Sequence, residues 1–119
     1  MTVERRSSPR VHDENVSLRL KIDESDAITH TLNISASGVY CKVSKEIPLM
    51  SRVRLVLMLP GHTTTHESSK VVEVTGVVVR EHPVIINGEI KHYDVAIFFD
   101  DLSAKDKETI SRYVTHHLT

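Results

Sequence analysis

Aromatic residues are few: the 119-residue chain has two Phe, three Tyr and no Trp. Its core must therefore be aliphatic, and Val supplies most of it, which favours strands because β-branched side chains suit a pleated surface and lose rotamer freedom in a helix. The same scarcity leaves no aromatic platform for single-stranded nucleic acid. A formal net charge of −1 excludes a general polyanion binder steered to DNA or RNA by its overall charge. The single cysteine, Cys41, cannot form an internal disulfide and fits a reducing compartment. No apolar run approaches the length of a bilayer span, and no signal-peptide core follows Met1. The sequence-based expectation is a cytoplasmic protein with no direct membrane insertion.

What the chain does contain is alternation. Val16, Leu18, Leu20 and Ile22 share one face of a first strand, with Ser17, Arg19 and Lys21 on the other, the mark of an antiparallel strand with one wet side. Further strands are expected over Ile28–Ile34, Val39–Val43, Arg52–Leu59, Lys70–Arg80 and Tyr93–Phe99. Asn87-Gly88 is a hairpin turn signal, and Gly76 fits a place where a strand bends. After Asp100-Asp101-Leu102 the period changes. Ser103 and Asp106 form a variant capping box, and Ile110, Val114 and Leu118 recur at helical spacing beside Tyr113. The links are too short for crossover helices, so the expected fold is all-β: a six-stranded antiparallel β-barrel with a C-terminal α-helix over 103–118. Residues 15–119 are read as one domain, and residues 1–14 as a flexible basic arm interrupted by Pro9.

Two constellations stand out. Arg5, Arg6 and Arg10 lie within six residues, opposed nearby only by Glu4. Guanidinium forks match phosphate oxygens and the O6/N7 edge of guanine, although a basic terminus also serves plain solubility. The second is Asn33-Ile34-Ser35-Ala36-Ser37-Gly38. On a strand, Asn33 and Ser35 share a face while Ile34 points into the core, and Gly38 can take a backbone conformation closed to other residues. Such Ser, Asn and Gly clusters also make ordinary turns.

Taken together, Arg6-x-x-x-Arg10 and Asn33-x-Ser35-x-x-Gly38 resemble the paired signature of PilZ domains, bacterial receptors for the second messenger cyclic di-GMP. The likeness runs on through Gly76-Val77-Val78-Val79-Arg80 and Val95-Ala96-Ile97-Phe98-Phe99, where Ala96 replaces a glycine common in the family. It implies a six-stranded barrel with a C-terminal helix. It also implies Arg6 and Arg10 on the phosphates and guanines, Asn33 and Ser35 on a guanine edge or nearby phosphate, and Gly38 holding the turn. Arg5 extends the arm to Arg-Arg-x-x-x-Arg, which in the family often accompanies two intercalated ligand molecules per chain. The function so implied is a stand-alone adaptor that binds cyclic di-GMP as a regulatory ligand, uses no cofactor, and relays the signal to a partner protein. The alternative is an interaction module of the same fold that does not use the nucleotide.

The remaining chemistry-bearing residues form no familiar set. Eight histidines lack zinc-ligand spacings, and His62 and His66 flank threonines that disfavour an aligning helix. Cys41 reads as a small core hydrophobe, Ser35 has no His and acid partners at motif spacing, and Glu73, Asp94 and Asp100 form no defined pair. A catalytic function is not expected, and His62–Ser69 reads as a polar loop with no assigned role.

Overall fold

The computed structural model describes residues 10–11, 16–22, 25–61 and 68–117. Its elements run β1 (Arg10–Val11), β2 (Ser17–Ile22), β3 (Ser25–Ser35), β4 (Gly38–Val43), β5 (Arg52–Leu59), β6 (Lys70–Ile86), β7 (Glu89–Asp101) and α1 (Ala104–His117). All pairings are antiparallel, in the order β3-β2-β5-β6-β7-β4, and β4 returns to β3 to close a six-stranded barrel. Closure removes the exposed edges that so many Val-rich strands would otherwise present. The two-residue β1 adds to β3 beyond the end of β2, with Arg10 opposite Ser35 and Val11 opposite Ile34.

The alternation sorts side chains as expected. Val16, Leu18 and Leu20 of the first wall, Val53, Leu55, Leu57 and Leu59 of β5, and Val95, Ile97 and Phe99 of β7 are all buried. Among the described residues, Phe99 and Tyr113 alone bring rings into this aliphatic core, with Tyr93 packed at its border. Gly76 borders an irregularity in the β6–β7 register, where a bend was expected. Helix α1 begins where Ser103 caps it: the Asp106 N–H donates to Ser103 Oγ at 3.1 Å. Its buried stripe of Ile110, Tyr113 and Val114 joins the core, and the helix packs against β1 and β3. Leu118, assigned to the same stripe from sequence, lies outside the described residues.

Two features go beyond the alternation. Strands β6 and β7 continue past the barrel to Ile86 and from Glu89, making one long hairpin around Asn87-Gly88. Of the basic arm, only Arg10 and Val11 are described, and they form the short extended strand β1. Arg5, Arg6, His12, His62 and His66 lie outside the described residues. No helix among the described residues is long and apolar enough to cross a membrane.

Candidate functional site

Strand β3 changes face part-way along its length. In its first half Ala27 and Thr29 stand opposite the buried Leu20 and Leu18, so odd-numbered residues point inward, and Ile28 is exposed. Thr31 still faces inward opposite the buried Cys41. The register then slips by one residue at Leu32, and Asn33 stands opposite Tyr40 while Ile34 stands opposite the buried Val39. A slip of one exchanges the two faces of a strand. Unbroken alternation would push the Asn33 carboxamide into the aliphatic core, at a cost of several kcal/mol if unpaired (about 2–7 kcal/mol), and would leave Ile34 in water. The bulge instead buries Ile34 completely and turns Asn33 and Ser35 to the outer face.

A second bulge answers the first. On β6 the register slips at Val79, between Val78 opposite Ile97 and Arg80 opposite Ala96. Ala96 is also paired with Tyr40, so one cross-strand row on the outer face reads Asn33, Tyr40, Ala96, Arg80. A bulge lies at each end of it. The adjacent row reads Ser35, Gly38, Phe98, Val77, and the backbone of Arg10 extends it beyond Ser35. Arg80 is exposed and forms no ion pair with the described residues.

The turn between β3 and β4 is held by hydroxyls. The Ser37 N–H donates to Ser35 Oγ at 3.1 Å, and the two serine hydroxyls lie 2.9 Å apart. Ser35 Oγ also points at the Gly38 carbonyl from 3.5 Å, the outer limit of such a bond. Ser35 is fully buried, so its hydroxyl shapes the turn rather than standing open beside Asn33. The Ser37 carbonyl accepts from the Phe99 N–H at 2.9 Å, which fastens the turn to β7.

Gly38 is required for a different reason from the expected one. It has no positive φ. A Cβ built there would stand 2.3 Å from the Ile97 carbonyl oxygen and 3.3 Å from Phe98 Cα. Glycine is needed because β4 and β7 approach too closely for any side chain.

The other chemistry-bearing residues are accounted for structurally. Burial, assisted by the Asp94 carboxylate, pushes the Cys41 thiol up to about 12, so at neutral pH it stays a protonated, unreactive core group. Asp100 is held by Arg52 at 2.7 Å and by Thr75 at 2.9 Å. His92 Nε2 lies 3.2 Å from Asp94, and no group of three or more His, Cys, Asp or Glu among the described residues could hold a metal ion. Sequence reasoning picked out Asn33, Ser35 and Gly38 but not Tyr40, Arg80 or Phe98. Those three come beside the motif residues only through cross-strand register, which two unforeseen bulges set for Tyr40 and Arg80.

The model of the PilZ domain family matches residues 4–116. This chain belongs to the PilZ domain family. Its fold is similar to that of the Bacillus subtilis inhibitor of motility, MotI/DgrA (TM-score 0.81, 18% identity, 96% of this chain and 51% of that one). It is also similar to the K. pneumonia MrkH–c-di-GMP complex (TM-score 0.68, 14% identity, 95% of this chain and 52% of that one). A third likeness is to the PilZ domain with c-di-GMP of YcgR from Escherichia coli (TM-score 0.67, 14% identity, 96% of this chain and 92% of that one). The PilZ chain described here spans about half the length of the first two. Comparison with curated proteins finds no match.

Proposed function

We propose that this PilZ domain is a receptor for cyclic di-GMP that acts by binding, without chemical change to the ligand, and passes the signal to a partner protein in the cytoplasm. The observation that carries this reading is the register of β1, which pairs Arg10 with Ser35 and Val11 with Ile34. The arginine motif and the Asn33-x-Ser35-x-x-Gly38 motif, more than twenty residues apart in sequence, are thereby joined along one strand edge. Four residues of chain span at most about 13–14 Å, so Arg6 is tethered within that reach of Arg10. Two guanidinium forks carried on one such tether suit the two phosphates and guanine edges of a cyclic dinucleotide. Asn33, brought outward by its bulge, supplies a donor and an acceptor for a base edge. In this reading Ser35 acts mainly by holding the turn, and the partly exposed Ser37 offers the hydroxyl nearest the ligand. Two of the similar structures contain c-di-GMP, which supports the choice of ligand.

Calorimetric titration with cyclic di-GMP, with GTP and cyclic di-AMP as controls, tests this directly. Saturable binding of cyclic di-GMP alone is expected, with two ligands per chain if Arg5 serves a stacked pair. Arg10→Ala should weaken binding by about a hundredfold, the loss of a charge-assisted bidentate contact of ~3 kcal/mol. Unchanged affinity in that variant overturns the site assignment.

A further inference from the structure

Phe98 is half exposed, at 52% of its surface, although the chain has only two phenylalanines and its neighbour Phe99 fills the core. The exposed ring stands on the outer face in the row Ser35, Gly38, Phe98, Val77. Gly38 beside it carries no side chain and has no room for one. Ala96, two residues back along β7, is on the same face and is nearly as small. The ring therefore rises from a low floor of Gly38 and Ala96, one strand spacing from Gly38, two from Ser35 and three from the backbone of Arg10.

We infer that Phe98 is the stacking platform for a guanine base of the ligand, which lies over Gly38 and Ala96 against the phenyl ring. This rests on the proposed reading of the face as a cyclic di-GMP site and adds to it a residue outside the Arg and Asn-x-Ser-x-x-Gly motifs. Phosphates held by the arginines leave the purine faces to be covered, and a flat apolar base against a half-exposed ring removes both from water. The floor of small residues provides the space for that approach. Hydrogen bonds from Asn33 read the base edge, while the ring supplies affinity without reading sequence.

Cyclic di-GMP titrations of the unaltered protein and of the Phe98→Ala, Phe98→Leu and Phe98→Trp variants test this. Replacing the ring by Ala should weaken binding by roughly tenfold or more. Leu should recover little of that loss, because it restores apolar bulk without a flat π-face, and Trp should bind at least as tightly as Phe. The chain has no tryptophan of its own, so indole fluorescence in the Phe98→Trp variant reports the contact directly and should be quenched on ligand addition. Thermal melting of the three variants should stay close to that of the parent, since the ring is not part of the core. Ala and Leu variants that bind within twofold of the parent, or an indole signal unmoved at saturation, overturn the platform while leaving the cyclic di-GMP reading intact. Failure of the unaltered protein to bind overturns both.

Discussion

Among the described residues two hairpins are closed by two-residue turns, Ala36–Ser37 between β3 and β4 and Asn87–Gly88 between β6 and β7, and they solve the same problem by opposite means. The distal turn is a backbone solution. Asn87 and Gly88 both take positive φ, 53° and 79°, the geometry that matches the right-handed twist of the flanking strands. Nothing lies within 4 Å of where a Gly88 Cβ would be. The proximal turn uses no positive φ. Serine hydroxyls hold it from within, the Phe99 N–H ties it to a neighbouring strand, and its glycine answers to a third strand pressing from outside. A turn that depends only on itself can sit at the end of a hairpin reaching away from the barrel. A turn that depends on its neighbours is fixed in place, which suits the surface proposed to read the ligand.

The largest expected effect comes from adding a methyl group to the proximal glycine. In Gly38→Ala the new carbon meets the Ile97 carbonyl at 2.3 Å; the Cβ position is fixed by its own backbone and the carbonyl is backbone too, so no rotation relieves the clash. β4 and β7 must separate, at a cost of about 3 kcal/mol. Urea denaturation should show the fall in midpoint, and binding of cyclic di-GMP should be lost with it. A variant as stable as the parent would mean that the close approach of β4 and β7 is not a real constraint.

A smaller effect is expected at the hydroxyl that holds the same turn. Ser35→Ala removes the acceptor of the Ser37 N–H and the partner of the Ser37 hydroxyl in a fully buried position. The loss should be about 1–2 kcal/mol, seen as a lower denaturation midpoint with or without ligand. If Ser35→Ala leaves stability unchanged and weakens binding alone, the serine contacts ligand directly rather than through the turn.

These differences mark how far the sequence could be read. The barrel was legible because each wall strand is written in period two: Val53, Leu55, Leu57 and Leu59 face inward just as their spacing requires. The distal turn was legible because Asn-Gly is a local device. Gly38 was legible as a glycine that matters, but not for the right cause, since its constraint comes from Ile97, far away in sequence. The two bulges were not legible at all. Nothing in Thr31-Leu32-Asn33 or Val78-Val79-Arg80 signals a slip; each slip falls just past the point where the strand's other neighbour stops pairing, beyond His30–Ser17 on β3 and beyond Val77–Arg52 on β6. The bulges place Asn33 and Arg80 at the two ends of one row, so the motif residues can be read from pattern and resemblance, while their neighbours along the row depend on tertiary register.

The smallest effect separates the two turns most cleanly. Gly88→Ala should cost about 1 kcal/mol, the strain of an ordinary residue at φ near 79°. Open space around the position means that no clash adds to that strain. Asn tolerates the left-handed region through its short polar side chain, so Gly88→Asn should recover most of the loss, whereas Gly38→Asn should be at least as damaging as Gly38→Ala. Neither Gly88 variant should alter affinity for cyclic di-GMP, because the distal turn lies beyond the rows that carry Asn33 and Phe98. Denaturation midpoints for the four proteins check the pairing. If Asn fails to rescue Gly88, or rescues Gly38, the two glycines do not differ in kind: the need for glycine would then be local at both turns or imposed by packing at both.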